Sequence, residues 1–288
     1  MTKQPKIAIL TSTYERPDLA VRNVKSVLSQ EYKNWEIYLV NDGSKKDYSE
    51  LEMLIEGHPQ IKYHRFVENQ GFNKVQNYCL SQIVDSTCEY IMILDDDDQL
   101  AESALTILAE TVIEYPDANW LAFNCKNISK SFTENVKLIQ QVEYVEYPKE
   151  YDQKAYGDKA QVLKVDFVRD NSNIKLPKYI KNGCEDIFWL KLAKKTKVLL
   201  INKTIKIIEY QPMGLSSSPL YRYEGWKSVK ICFFYILNNP YELQYYRNML
   251  KHLCNIRLGK ELRRLLKKIL GSKYHELKSY FKSNKKSV

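Results

Sequence analysis

Between Tyr90 and Asp98, five largely apolar residues run without a break into four consecutive aspartates, YIMILDDDD. An apolar run of this kind suits a parallel strand covered on both faces. The C-terminal ends of such strands are where open α/β sheets bind their ligands. Four adjacent carboxylates repel one another: at ~6 Å and an effective dielectric of ~20, each ionised pair costs roughly 3 kcal/mol. A bound cation removes that cost. For the run taken alone, an acidic loop in water is the alternative.

The residues before it set the context. Residues 6–12 (KIAILTS) read as a strand, and Pro17-Asp18 suits a first helical turn, with Ala20, Val24, Val27 and Leu28 at helical spacing. Residues 35–40 (WEIYLV) read as a second strand, closed by the turn signal Asn41-Asp42-Gly43-Ser44. A helix over 47–55, a strand over 61–67 and a helix over 71–83 lead to the run. This alternation predicts right-handed crossovers and a mostly parallel sheet. Neither GxGxxG nor GxxxxGK[ST] is present. Beyond the run, a helix over 103–114, a strand over 119–124 and strands over 198–210 are expected. Residues 126–165 are less regular, with segments such as VEYVEY.

Composition narrows the class. The chain is 44% hydrophobic and 12% aromatic, enough for a sizeable core and unlike a disordered chain. Six cysteines without CxxC spacing or a dense disulfide pattern fit a reducing cytosol. The N-terminus lacks the apolar core of a secretory signal, and no apolar run is long enough to span a bilayer, so a soluble or peripheral protein is expected. Residues 251–288 hold 12 Lys/Arg against 2 Glu, a net +10 of the chain's +9, so residues 1–250 carry −1. The basicity belongs to a tail.

TSTYERPD, VNDGS, ENQGFNKVQN and LDDDDQL come in the order and spacing of family 2 glycosyltransferases, which this chain resembles over roughly residues 5–200. The resemblance implies an α/β GT-A (Rossmann-like) fold: a mostly parallel sheet flanked by helices over residues 1–215, with a C-terminal helical region over 216–288. It implies that Asp42 accepts a hydrogen bond from a uracil imide; a turn-forming Asp before Gly is the plain alternative. Thr11, Tyr14 and Glu15 then line the neighbouring strand-end, where an aromatic packs on the base and a carboxylate meets ribose hydroxyls. Lys74 is placed to meet a diphosphate, whereas Asn69, Gly71 and Asn77 look structural. Gln76 and Cys79 stand where the family often has Arg and Gly.

Within the run, Asp95 and Asp97 align with the family's Asp-x-Asp pair. In an extended backbone residues i and i+2 face the same way. The resemblance makes Asp97 the direct metal ligand, with Asp95 nearer the ribose or a metal-bound water. Asp98 is a second ligand or orients the loop. Asp96 is counted with the donor-binding residues, although it points the other way and is expected to be solvated or a cap. Hard oxygen ligands call for Mn²⁺ or Mg²⁺, and no Cys/His spacing supports zinc. KNGCEDIFWL (181–190) resembles the family's GED segment at a helix start, with Cys184 inserted. By that resemblance Asp186 is the general base and Glu185 supports it or binds the acceptor. Stabilisation of first-turn carboxylates by the helix dipole would also explain both.

After residue 210, QPMGLSSSP signals a loop, a candidate lid from which Arg222 or Lys227 could reach the diphosphate. The QxxRW motif of processive synthases is missing, which argues for single additions. On a helical wheel, residues 258–270 (LGKELRRLLKKIL) separate Leu/Ile from Lys/Arg, suiting an anionic membrane surface, or docking on the body or on a second subunit as a homodimer. Nucleic acid is not expected, since no binding motif accompanies the tail.

Together these readings give a cytoplasmic enzyme, peripheral on the inner face of the membrane. It is an inverting, metal-dependent, non-processive transferase moving sugar from a UDP-sugar to a glycan or glycolipid in surface polysaccharide or lipooligosaccharide synthesis. Two alternatives remain: a sugar nucleotidyltransferase, which should carry a Gly-rich basic loop after the first strand, and a non-catalytic nucleotide-sugar-binding or assembly protein.

Overall fold

Four strands, β1 (Ile7–Thr13), β2 (Trp35–Asn41), β3 (Ile61–Arg65) and β4 (Tyr90–Ile93), pair in parallel in the order β3-β2-β1-β4. The computed structural model describes residues 4–129, 136–178, 180–183 and 185–211, with the Asp186 side chain left out. Cys184, Arg222, Lys227 and the basic tail lie outside the described residues. Apolar residues fill both faces of β1, so each face needs a cover. Ile7 and Ile9 pack with Val24 and Val27 of helix α1 (Pro17–Leu28) and Leu51 of α2 (Ser49–Ile55). Ala8 and Leu10 pack on the other face with Val75, Cys79 and Ile83 of α3 (Phe72–Val84). Strand alternation therefore sorts one apolar run into two cores.

The second half of the sheet is mixed. It comprises β5 (Gln99–Leu100), β6 (Trp120–Asn127), β7 (Glu143–Val145), β8 (Lys159–Lys164) and β9 (Val198–Ile208), with helices α4 (Ala104–Glu114), α5 (Lys149–Lys154), α6 (Val165–Asp170) and α7 (Glu185–Ala193). The order continues β4-β8-β6-β9-β5, and β7 pairs with β9. β8 runs antiparallel to both β4 and β6. The parallel expectation thus holds for the first four strands. The stretch read as irregular supplies β8, in the middle of the sheet. KAQVLK is only six residues long and begins and ends in lysine, so it carries no apolar run to announce a central strand.

Cys79, Cys88 and Cys125 are buried free thiols. Among the described residues, no helix is long and apolar enough to cross a membrane.

Candidate active site

The acidic run follows β4 as a tight turn. Asp98 N donates to Asp95 O at 2.9 Å. The Asn23 side-chain amide reaches from α1 to donate to both Asp95 O (2.8 Å) and Asp98 O (3.0 Å). β5 then pairs with β9, Leu100 opposite Lys206. The chain is not extended through the run, so alternation does not govern where its side chains point.

That corrects the expected placement of Asp96. Asp96 is fully buried, neither solvated nor a helix cap. Arg16 grips both Asp96 oxygens, through Nε at 3.2 Å and through Nη2, and its Nη1 donates to Asp97 Oδ2 at 2.9 Å. Asp98 is buried and ion-paired with Lys206 at 2.7 Å. Burial raises Asp95 to about 7, with Lys206 opposing and Asp98, Asp97 and Asp158 adding to the rise. Burial also raises Asp96 to about 7, against the pull of Arg16. Burial raises Asp98 as well, opposed by Lys206. Arg22 donates to the Asp97 carbonyl and pairs with Glu209 just after β9.

When all four carboxylates are ionised, the two cations in direct contact, Arg16 and Lys206, leave two negative charges, which one divalent ion would balance. Among the described residues no three His, Cys, Asp or Glu side chains form a metal cage. A hard cation at a phosphate site needs only one or two carboxylates, the substrate phosphates completing its shell. Asp97 fits, since Arg16 binds only its Oδ2 and its side chain keeps 20% of its surface exposed. Asp95, partly exposed and raised chiefly by burial with its acidic neighbours adding to the rise, fits beside it.

Asp42 directly follows β2, two strands from β4, and is buried. Its Oδ1 accepts from Gln70 N at 2.7 Å, and its Oδ2 accepts from Asn69 Nδ2 and Gly71 N, each at 2.9 Å. Burial raises its pKa, and these bonds, with Lys181 and Lys74 nearby, oppose the rise. A carboxylate has about four acceptor positions, so one remains, on Oδ1. Gly43 and Gly71 make the close approach possible. Both have positive φ, and a Cβ on Gly43 would lie 2.3 Å from the Glu68 carbonyl carbon.

The other expected donor residues divide. Thr11 is fully buried and spends its hydroxyl on Leu94 O at 2.9 Å, so it supports the floor of the site and does not line it. Tyr14 is 44% exposed at the rim. Glu15, at φ 58, accepts from Lys45 N at 2.6 Å. Lys74 is exposed on the first turn of α3 and donates to the Gln70 side chain.

The same helix start holds the GED-like segment. Asn73 Nδ2 faces the carbonyls of Pro177 (3.0 Å), Ile180 (3.2 Å) and Gly183 (2.9 Å), and Asn73 N donates to Lys181 O. Phe72 N donates to Asn182 Oδ1, and Asn77 exchanges two bonds with the Leu176 backbone. These clasps hold the loop that enters α7, whose first two residues are Glu185 and Asp186. Glu185 and Asp186 thus open the helix as expected, and the Glu185 side chain is exposed.

Sequence reasoning passed over Arg16, Arg22, Asn23, Asp158 and Lys206. Arg16 lies inside TSTYERPD, immediately before the helix-starting Pro17. Lys206 was visible as a lysine between isoleucines in an apolar strand.

Residues 8–181 match the family described as Glycosyl transferase family 2. The putative colanic acid biosynthesis glycosyl transferase WcaA of Escherichia coli (strain K12) is 35% identical over 109 residues, 37% of this chain and 38% of that protein. The GalNAc(5)-diNAcBac-PP-undecaprenol beta-1,3-glucosyltransferase of Campylobacter jejuni is 32% identical over 136 residues, 45% of this chain and 42% of that protein. The chain thus spans less than half the length of both relatives. The crystal structure of S. aureus TarS 1-349 in complex with UDP-GlcNAc matches with a TM-score of 0.71 over 87% of this chain and 73% of that one, at 16% identity, so the two share the GT-A fold. With a family match over more than half of its length and that fold around its acidic turn, the chain belongs to glycosyl transferase family 2.

Proposed function

We propose that this chain moves a sugar from a UDP-sugar to a hydroxyl of a glycan or glycolipid by a single inverting displacement, one sugar per binding event. One observation carries this: the Asp42 carboxylate and the acidic turn stand at the same end of the neighbouring parallel strands β2, β1 and β4. The free Oδ1 position of Asp42 suits the imide N–H of uracil, with Tyr14 on the rim beside it. Lys74 meets the diphosphate. Asp95 and Asp97 hold a Mn²⁺ or Mg²⁺ ion, which when bound offsets the charge of the departing diphosphate. Asp186 takes the proton from the attacking hydroxyl, kept ionised by the positive end of α7, and Glu185 orients the acceptor.

The Campylobacter relative's name, which includes a polyprenyl diphosphate-linked glycan, supports a lipid-linked acceptor here. Such an acceptor suits a cytoplasmic enzyme held at the inner membrane face through the basic pattern of residues 258–270. Liposome co-sedimentation tests that placement: a chain ended near residue 250 that binds anionic vesicles as well as full-length protein removes it.

Release of UDP from a panel of nucleotide sugars, with and without EDTA, is the decisive assay. One UDP-sugar should be turned over, chelation should stop it, and added Mn²⁺ or Mg²⁺ should restore it. Asp186→Asn should keep donor binding and lose at least about a hundredfold in turnover. Full turnover in that variant would end its role as base, and formation of a nucleotide sugar from a nucleoside triphosphate would replace the transferase reading.

A further inference from the structure

The order of strands gives the site a direction. Neighbouring strands lie ~4.8 Å apart, so the distance from β2, which carries Asp42, across β1 to β4 and the acidic turn is ~10 Å. One more strand in the same direction is β8. A nucleotide sugar laid with its base over β2 and its diphosphate over β4 brings its sugar over β8.

β8 runs antiparallel to β4, so its N-terminal end lies beside the acidic turn. The register pairs Tyr90 with Lys164 and Met92 with Val162. The pairing ends at Met92 and Val162, so Lys159, the first residue of β8, and Asp158 just before it lie toward the end of β4 from which the acidic turn leaves. The charge of Asp158 reaches both Asp95 and Asp98.

The approach to β8 is built. The buried Lys159 donates to Tyr156 O (3.1 Å) and Asp158 O (3.2 Å), closing a turn around Gly157, whose φ is +86°. The Asp158 side chain is exposed and accepts from the Tyr210 hydroxyl. Tyr210 is anchored in turn, its N donating to Ser129 Oγ at 2.7 Å.

We propose that Asp158, oriented by Tyr210, determines specificity by accepting hydrogen bonds from hydroxyls of the sugar in the donor. This rests on the UDP-sugar reading above. A carboxylate accepts only, at about four positions; Tyr210 uses one, and adjacent sugar hydroxyls can take the others. Tyr156, 44% exposed one residue before Gly157, gives the same edge an apolar face.

Calorimetric titration of the full chain with UDP, and with UDP-glucose, UDP-galactose, UDP-GlcNAc and UDP-GalNAc, all with Mn²⁺ present, tests this. Asp158→Asn and Asp158→Ala should weaken the best-bound UDP-sugar by about tenfold while UDP stays within about twofold, since a hydrogen bond to a charged group is lost. Tyr210→Phe, which removes only a hydroxyl, should shift the same ratio by about threefold and decides the matter if the Asp158 variants fail to fold. A ratio of UDP-sugar to UDP affinity unchanged in Tyr210→Phe and the folded Asp158 variants would overturn the proposal, as would an equal loss for UDP itself. Wild-type protein that binds no uridine nucleotide would sink the underlying reading and this one with it.

Discussion

The Arg16 guanidinium meets Asp96 with two nitrogens and Asp97 with the third, so one side chain sets the direction of two carboxylates. Asp96 has no exposed surface, whereas the Arg16 side chain keeps 28% of its own. Losing one partner of a buried pair strands the other charge at roughly 3–5 kcal/mol, and the exposure of Arg16 lowers that through solvent screening. Arg16→Met should therefore cost about 2 kcal/mol in urea unfolding and weaken Mn²⁺ binding. Arg16→Lys should recover part of the stability and less of the metal affinity, because an ammonium lacks the planar fork. The acidic run itself was plain in the sequence. Its internal division of roles was not, because alternation assumes an extended chain and Asn23 holds these residues in a turn.

At the scale of elements, the first four strands and the three helices among them stand close to where apolar periodicity and Pro17 put them. β8 escaped notice because its place is fixed by two partners far away in sequence, β4 and β6, and not by its own pattern. The start of α3 was legible as a motif, but its task was not: it joins the Asp42 loop to the segment entering α7. Gly71 is the seam. Its φ is +90°, and a Cβ there would lie 2.5 Å from the Lys181 Cβ. Gly71→Ala should cost upwards of about 2 kcal/mol, through backbone strain together with a contact that must be pushed apart. Thermal melts should show the loss, and turnover of the folded fraction should fall more than UDP binding does. Equal melting temperatures for variant and wild type would mean the seam is looser than the geometry says.

Across the whole molecule, the two ends of the parallel strands do different work. The C-terminal ends gather Asp42, the acidic turn and its cations. Near the N-terminal ends, Lys6 pairs with Glu36 at 2.8 Å, and Glu36 also accepts from Tyr38 and Cys88, binding together the entries of three segments. Burial works against ionising Glu36, but the Lys6 bond, the Tyr38 bond and the Lys6 charge outweigh it and lower its pKa. A lowered carboxyl contributes stability above its unfolded pKa and loses it as pH falls through the folded one. Glu36→Gln should therefore be less stable than wild type by about 1 kcal/mol at pH 7. The gap should close as the pH drops below about 4, with UDP affinity unchanged throughout. A gap that persists at pH 3 would show that packing, not charge, is what the substitution removes.

The Lys206–Asp98 pair has a bearing on folding and on how the chain can be cut. The two partners are 108 positions apart, and β9 must dock beside β5 before they meet. Pairings of such long range close late and slowly, so the acidic turn acquires its second counter-charge only when nearly the whole sheet is in place. The family match ends at residue 181, short of Lys206. A fragment ended there keeps every aspartate of the turn, yet Asp98 would face no cation and β5 no partner. Such a fragment should aggregate or bind donor poorly, and extending it through residue 211 should remove both faults together.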